Sequence, residues 1–467
     1  MHLFEYQELK KDKLPDFNTK ECEKILDDLW SSRYSFGLEG DYEYNKFNKD
    51  SKQQILSFTR LEGIKAGKYV GVIKLKDEVI NIYPKIFQTN ENSKLANTNP
   101  DFSKYVFSHI LWWMSYSKKI RLPKSFSSFD RSNSDFLEIF MYLFAYYTDQ
   151  LINSYAFHDY QFREEELSLV RGRIKFNDYI SNIGKGKWHK IPCEFSEFQY
   201  DNHLNQIIRY VTKLLYPFTN DSRTKRLLDN ILYQLNDVSD IHITIHDCDK
   251  VKLNPLFEEY AVVLDYCRMF ISNSVVSSYS NDISVFSFLI NTESIYEDFL
   301  FGFIKEHKAR LKVKDIVSKK SDHLATEKTF KDTCFGVQTD YLITMNDGRE
   351  IIGDAKYKHI FWEKSPNNVV RNYGISNSDV FQMITYSYRK DIKDVLLFYP
   401  TFFNQLENPI SHEFNILDSL DSSKIDLKAV SLNIINKNMN DFKSNKSISD
   451  LFKDTEEKLI EQLKAIL

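Results

Sequence analysis

Three residues with the chemistry to bind a metal ion and a phosphate lie close together in this 467-residue chain. Asp340, Asp354 and Lys356 flank two apolar runs, and Asp347 and Gly348 lie between those runs. An Asp-Gly pair between apolar runs predicts a β-hairpin, because both residues tolerate positive φ. Side chains alternate along a strand, so Asp354 and Lys356 share a face, which Asp340 can reach from the partner strand. The group suits a hard divalent cation, a polarised water and a developing phosphorane charge; the alternative is a surface salt bridge of little energy.

Predicted helices on both sides of the hairpin can add further side chains to this group. Upstream, residues 293–304 have helical apolar spacing and carry Glu297, a third carboxylate. Downstream, a second predicted helix carries Gln382 and Tyr386, which are four apart and share a face. This order of Glu, Asp, Asp-x-Lys and Gln-x-x-x-Tyr resembles the PD-(D/E)xK nucleases of the RecB-like branch, with Thr339 in place of the usual Pro. The resemblance implies a Mg²⁺-dependent phosphodiester hydrolase.

Composition limits the class of protein. A chain of this length is expected to form about two to four domains. The five cysteines are odd in number and contain no C-x-x-C, which argues against a disulfide framework or a zinc site and for a reducing compartment. The longest apolar run, Ile139 to Tyr147, is too short to span a bilayer, and no basic-then-apolar leader opens the chain. We therefore expect a cytoplasmic protein with no membrane partner.

The charge pattern contains one local basic window. The net charge of −4 provides no global attraction to DNA. From Lys305 to Lys331, however, nine basic and four acidic residues give a net charge of +5. Because this window lies beside the predicted hairpin, we interpret it as a track for nucleic-acid phosphates; the alternative is a solvated helix face.

The pattern of apolar residues predicts a multidomain α+β protein with three consecutive parts. These are a β-rich N-terminal domain at 1–95, a mainly helical middle domain at 96–250, and a C-terminal α/β domain at 251–467. The resemblance described above implies that the C-terminal domain is a PD-(D/E)xK endonuclease domain.

Shorter signals predict individual elements within these parts. A hairpin is expected at 69–87, followed by an Asn-rich polar stretch at 88–102 that we interpret as a linker or long loop. Asp201 or Asn202 is expected to cap a helix that follows it. Near the C-terminal end, 395–399 reads as a buried strand and 450–467 as an amphipathic helix.

Three further elements carry a more specific resemblance when they are taken together. They are the Gly71–Ile86 stretch with Pro84 and Lys85, the Arg171-Gly172-Arg173-Ile174 string, and the Glu194–Arg209 stretch with Asp201, Asn202 and Asn205. With the nuclease block, the chain resembles the McrC family over roughly residues 60–400. These proteins are the nuclease subunits of modification-dependent, McrBC-type restriction systems.

The resemblance implies properties that the residues alone do not show. A β-rich N-terminal part, here the 1–95 range, enters the pore of a McrB-like AAA+ GTPase hexamer. That partner hydrolyses GTP or ATP and recognises double-stranded DNA with modified cytosine, while the McrC-like subunit stimulates hydrolysis and cuts both strands. The resemblance implies that Asp340, Asp354 and Glu297 bind the metal. It also implies that Lys356 orients the attacking water or stabilises the phosphorane, and that Gln382 and Tyr386 position DNA or the metal shell.

The nucleotide is expected to be used by the partner only. The string nearest to a Walker A motif, Gly63 to Tyr69, has three residues between its glycines, and Tyr69 replaces the Ser/Thr that binds Mg²⁺. Lys65, Lys68 and Arg60 are candidates by charge for contact with the partner's nucleotide site.

Two other functions stay open on the sequence. One is an NTPase-activating adaptor whose nuclease fold is inert; the other is a free-standing RecB-like repair exonuclease. The second is disfavoured because the sequence has no cysteine cluster for an iron–sulfur centre and no helicase motif. His242 and His246 lie in a stretch whose alternation predicts a strand, and we interpret this pair as incidental rather than as a metal site.

Overall fold

A computed structural model describes most of the chain. It covers residues 1–10, 23, 26–27, 55–58, 63–75, 78–117, 136–273, 285–329, 331–361, 372–407, 409–417, 424–443 and 447–467. Arg60, much of the predicted 1–95 range and the tip of the predicted 69–87 hairpin lie outside the described residues.

Strands come first in the described chain, and runs of helices and strands follow. The strands are β1 (His2–Phe4), β2 (Glu8–Leu9), β3 (Leu56–Phe58), β4 (Ile64–Ala66), β5 (Tyr69–Leu75), β6 (Glu78–Tyr83), β7 (Asp159–Leu167), β8 (Arg173–Ile174), β9 (Ile191–Gln199), β10 (Val285–Asn291), β11 (Val313–Thr326), β12 (Thr333–Met345), β13 (Glu350–Ala355), β14 (Asp394–Pro400), β15 (Ser411–Leu417) and β16 (Lys424–Leu432). The α-helices are α1 (Asn90–Thr98), α2 (Pro100–Ser115), α3 (Phe136–Ser154), α4 (Phe176–Gly184), α5 (His203–Leu215), α6 (Ser222–Gln234), α7 (Ile245–Lys250), α8 (Tyr260–Asn273), α9 (Thr292–Glu306), α10 (Lys308–Leu311), α11 (Asn377–Lys390) and α12 (Ile448–Ile466).

The chain forms two compact units that are not consecutive in sequence. Unit 1 comprises residues 1–31, 46–136 and 276–467, and unit 2 comprises 32–45 and 137–275. The three predicted ranges are consecutive, so they do not coincide with these units. The reason is a long-range strand pairing, since β10 pairs with β5 along its whole length and joins the N-terminal residues to the predicted nuclease part.

A six-stranded mixed sheet in unit 1 carries the predicted hairpin. Its strand order is β11-β12-β13-β14-β16-β15. The strands β13, β14 and β16 are parallel neighbours, and the other pairs are antiparallel. The hairpin prediction is confirmed by β12 and β13, and the predicted buried strand is β14.

Helices α9 and α11 lie on opposite faces of this sheet. Met383 of α11 packs in one apolar cluster with Leu342 and Ile352 of the hairpin. On the other face, Phe301 of α9 stacks on Tyr341, the residue next to Leu342. Because neighbouring residues of a strand point to opposite faces, the side chains of Asp340, Asp354 and Lys356 share the face that α11 covers. The predicted helices at 293–304, at 379–386 and near the C-terminal end are confirmed as α9, α11 and α12.

A four-stranded sheet of order β1-β6-β5-β10 forms a second part of unit 1. The strands β5 and β6 pair as the predicted hairpin. The interpretation of 88–102 as a linker is wrong, because α1 and the start of α2 occupy it. Thr89 and Asn99 accept hydrogen bonds from backbone N–H groups in the first turn of each helix, so these polar residues act as caps.

Unit 2 contains the helices from α3 to α8 and a three-stranded antiparallel sheet of order β7-β9-β8. The cap prediction is confirmed for Asn202, whose side chain accepts from Asn205 N–H at the start of α5. The predicted strand at His242 and His246 is wrong, because Thr244 and Asp247 form a reciprocal capping box that starts α7.

Among the described residues, no helix combines the length and the apolar character that crossing a membrane requires.

Candidate active site

A pair of aspartates on the hairpin forms the centre of the site. Asp354 lies on β13 with a fully buried side chain, and Asp340 lies on β12. The carboxylate of Asp340 accepts a hydrogen bond of 3.0 Å from Ala355 N–H, which fixes it beside Asp354. This burial excludes the alternative of a surface salt bridge on an exposed hairpin.

Lys356 completes the group and is itself held in place. Its Nζ lies 2.6 Å from Asp354 Oδ2, and its side chain is 18% exposed. The same Nζ donates to Gln382 Oε1 at 3.3 Å. The ammonium is therefore held between the hairpin and α11, and its exposed fraction leaves a route to substrate.

A chain of hydrogen bonds links this lysine to the strand that carries Asp340. Gln382 Nε2 donates to the Tyr386 hydroxyl at 2.7 Å, and that hydroxyl donates to Gln338 O at 2.7 Å. The two side chains are one helical turn apart on α11, so a single rigid helix face fixes both ends of the chain. In this arrangement Gln382 and Tyr386 orient Lys356 and hold β12.

Burial and neighbouring charges shift the pKa values of the acidic pair. Burial, together with the charge of Asp354, raises the pKa of Asp340 to about 7. Burial also raises the pKa of Asp354, although Lys356 opposes this effect. For Lys356, burial alone would lower the pKa, but the nearby Asp354, Asp340 and Asp379 carboxylates outweigh it and raise the pKa above its usual value. Near neutral pH the metal-free site thus retains the lysine charge and part of a proton on the aspartates.

The aspartate pair has the properties expected of ligands for a divalent cation. Both carboxylate oxygens of Asp354 are buried without a donor in hydrogen-bonding geometry, although Lys356 lies close by. Carboxylate oxygens are the ligands that Mg²⁺ prefers, and a dication would offset the burial that raises the pKa of both aspartates and the repulsion from Asp354 that adds to it at Asp340. Asp340 and Asp354 therefore fit the metal that the resemblance implies.

Glu297 does not join this pair in the structure. Its carboxylate lies 3.5 Å from Lys319 Nζ, and its backbone carbonyl accepts from the Tyr341 hydroxyl at 2.8 Å. The described residues contain no group of three or more His, Cys, Asp or Glu side chains placed to hold a metal. Glu297 lies on α9, which covers the face of the sheet opposite to α11. Its role as a third metal ligand stays a prediction.

Two residues beside the site were missed by the sequence analysis. Lys358 Nζ donates to both carboxylate oxygens of Asp379 at 2.9 Å, and the side chain of Asp379 is 6% exposed. Asp379 contributes to the electrostatic field at Asp354 and Lys356. A signal was present in the spacing, since Asp379 lies three residues before Gln382 on the same helix face.

Comparisons with known proteins give one matching family model and similar solved structures. The family model described as McrBC 5-methylcytosine restriction system component matches residues 64–400. Among solved structures, the refined half-complex from a tetradecameric assembly of Thermococcus gammatolerans McrB AAA+ hexamers with bound McrC contains a similar chain, with a TM-score of 0.65, 15% identity and full coverage of both chains. A structure of the Thermococcus gammatolerans McrBC complex has a TM-score of 0.48 and 16% identity, over 65% of this chain and 86% of that one. Among curated proteins, none has significant sequence similarity to this chain.

Proposed function

This chain belongs to the McrBC 5-methylcytosine restriction system component family, and we propose that it is the Mg²⁺-dependent DNA endonuclease subunit of such a system. The observation that carries the proposal is the Asp340–Asp354 pair, in which Asp354 is fully buried and Lys356 is held 2.6 Å from its Oδ2. A fully buried aspartate with a second carboxylate and a mostly buried lysine beside it is costly for a fold to keep, and the convergence of the three on one face indicates a catalytic use.

The chemistry assigned to each residue follows from its surroundings. Asp340 and Asp354 would hold Mg²⁺, which when bound lowers the pKa of water and neutralises phosphate charge. Lys356 stays protonated because its pKa is raised, so it acts as a fixed positive charge toward the attacking water or the developing phosphorane. Gln382 and Tyr386 keep that charge in register with the aspartates by the hydrogen bonds described above.

The DNA would be held beside this site by the basic window of residues 305–331. The window is not one helix face, because it spans the end of α9, all of α10 and β11, the edge strand of the six-stranded sheet. Lys314, Lys319 and Lys328 are exposed in it. Since β11 pairs along β12, which carries Asp340, phosphates bound there would lie close to the aspartates.

The partner would be a McrB-like AAA+ hexamer that hydrolyses GTP or ATP. The similar chain from Thermococcus gammatolerans lies in an assembly of McrB AAA+ hexamers with bound McrC. The Gly63–Tyr69 string, the nearest to a Walker A motif, forms β4 and the start of β5 rather than a phosphate-binding loop before a helix, which supports nucleotide use by the partner.

Two surfaces are candidates for contact with the partner. Residues 1–95 are the range implied by resemblance, with Lys65 and Lys68 as candidates by charge, but the described strands β1, β5 and β6 are largely buried in unit 1. Exposed apolar side chains gather instead in unit 2, on and around the β7-β9-β8 sheet and α4. They are Tyr160, Phe162, Leu169, Val170, Phe176, Ile180, Ile183, Trp188 and Phe198. An apolar surface of this kind favours the unit 2 sheet as a second candidate. Paired alanine substitutions at Phe162 and Trp188 test it by loss of NTPase stimulation.

The proposal is tested by cleavage of methylated and unmethylated plasmid with Mg²⁺, a McrB-like AAA+ partner and GTP or ATP. Lys356→Ala should lower the cleavage rate by about 10²–10³-fold, because a fixed charge at the reacting phosphate is lost. The matched control is Lys464→Ala, which removes an exposed lysine of α12. Cutting by Lys356→Ala at the rate of the wild type would contradict the assigned site.

The same assay separates the two alternatives. Stimulation of partner NTPase without cutting under any condition would favour the adaptor with an inert nuclease fold. Cutting that needs neither partner nor nucleotide would favour a free-standing RecB-like exonuclease.

A further inference from the structure

A buried carboxyl group near the N-terminus has no part in the chemistry described so far. Glu5 is 1% exposed. Its carboxylate accepts from Lys85 N–H and from the Thr292 hydroxyl, each at 2.9 Å, and the Tyr357 hydroxyl is buried beside the same group without a partner in hydrogen-bonding geometry. A buried carboxyl is costly unless its oxygens have partners. Glu5 thus connects the N-terminal segment to the start of α9 and to the residue that follows Lys356.

The position of Tyr357 controls how Lys356 leaves the sheet. Lys356 N–H donates to Phe398 O at 2.8 Å, as the last bond between this segment and β14. Lys358 N–H then donates back to Lys356 O at 2.8 Å, which makes Tyr357 the central residue of a three-residue γ-turn. Because the turn begins at Lys356, the orientation of Tyr357 fixes the backbone from which the catalytic lysine projects.

The ring of Tyr357 packs against side chains from the N-terminal part of the chain and from α9. Lys85 Nζ lies 4.6 Å from its centroid and 5.1 Å from that of Tyr6. Tyr296 of α9 packs on it with ring centroids 5.9 Å apart. The helix that supplies Tyr296 begins at Thr292, which Glu5 binds. Glu5, Thr292, Tyr296 and Lys85 are therefore linked to one another and to Tyr357 around the turn that follows Lys356.

We propose that Glu5 is a positioning residue for Lys356, acting through Tyr357, so that the N-terminal segment forms part of the frame of the nuclease site. This inference rests on the proposed nuclease function. Glu5 does not touch the reacting atoms, and its effect should be on the placement of the lysine charge rather than on DNA or metal binding.

The test uses the full chain in complex with its AAA+ partner, with Mg²⁺, nucleotide and plasmid DNA. Glu5→Ala and Tyr357→Phe should each lower kcat for cleavage by about 10-fold, the usual effect of removing a group that orients a catalytic side chain. KM for DNA, NTPase stimulation and thermal stabilisation by Mg²⁺ should stay within about twofold of the wild type. Glu5→Gln keeps an acceptor oxygen and should recover most of kcat.

A matched control is Tyr105→Phe, which removes a buried hydroxyl that donates to Asn436 O at 2.6 Å elsewhere in unit 1. It should leave kcat unchanged. The inference is wrong if Glu5→Ala and Tyr357→Phe both cut at the wild-type kcat. It is also wrong if Glu5→Ala loses kcat, NTPase stimulation and Mg²⁺ stabilisation together while Tyr357→Phe loses none, because that pattern indicates only a folding defect. A wild-type complex that does not cut would instead overturn the nuclease function itself.

Discussion

Replacement of Asp340 by Asn should stabilise the metal-free protein above neutral pH while it abolishes cleavage. Asp340 is held beside Asp354, and burial and that neighbour raise its pKa to about 7 from its ordinary value of 3.8. The asparagine variant stays neutral and keeps a side-chain oxygen that can accept from Ala355 N–H. It therefore removes the repulsion between the aspartates with little change of shape.

The direction of the pH dependence follows from this raised pKa. Between pH 4 and pH 7 the folded protein keeps a proton at Asp340 that the unfolded chain releases, so this contribution to stability is lost as pH rises through 7. At about 1.4 kcal/mol per pKa unit, the wild type should lose about 3 kcal/mol at this site between pH 5 and pH 8. Asp340→Asn lacks that loss, and at pH 8 its melting temperature should rise by roughly 4–5 °C relative to the wild type.

The assay is thermal denaturation at pH 5 and pH 8, with and without Mg²⁺. Asp454→Asn, an exposed position on α12, is the matched control for removal of one carboxylate charge. Mg²⁺ at about 100 times its Kd should stabilise the wild type by about 2.7 kcal/mol at pH 8 and should leave Asp340→Asn unchanged.

Two results would refute this reasoning. Equal changes in melting temperature for Asp340→Asn and Asp454→Asn would show that no special repulsion acts between Asp340 and Asp354. Stabilisation of Asp340→Asn by Mg²⁺ to the same extent as the wild type would place the metal elsewhere.

Three further predictions concern the orienting helix, the DNA track and the N-terminal sheet. Tyr386→Phe loses the hydrogen bond to Gln338 O, so it should lower kcat by about 10-fold and the free energy of unfolding by about 1 kcal/mol. Plasmid cleavage and denaturant unfolding measure the two effects, and unchanged values in both would contradict the orienting role of Tyr386. Lys314→Ala combined with Lys328→Ala should weaken DNA binding for all sequences and reduce the slope of log K against log salt by about 1–2. Fluorescence anisotropy measures both, and an unaltered slope would show that these lysines do not bind DNA phosphates. Gly71→Ala should lower the yield of folded protein and the melting temperature, because Gly71 has φ +137° and the added Cβ would lie 2.0 Å from Phe288 O; a normal melting temperature would contradict the close approach of β5 and β10.

Local patterns were sufficient for the elements of the site. The hairpin, α9, α11 and β14 are each formed by a short stretch, so apolar spacing and the Asp-Gly turn predicted them. The same spacing placed Gln382 and Tyr386 on one helix face. Polar composition misled at 88–102, and alternation misled at His242 and His246, because asparagine and threonine side chains cap helices there.

The sequence by itself determined which residues meet across the hairpin, since Asp340, Asp354 and Lys356 all lie on or directly after its two strands. Only the tertiary structure decided the rest. The packing of α9 on the opposite face of the sheet places the Glu297 carboxylate 3.5 Å from Lys319 Nζ, and spacing cannot reveal which face a helix covers. Glu5 meets Thr292 across 287 residues, and β5 pairs with β10, which is also distant in sequence. Such contacts depend on how whole sheets pack, and no local periodicity records them.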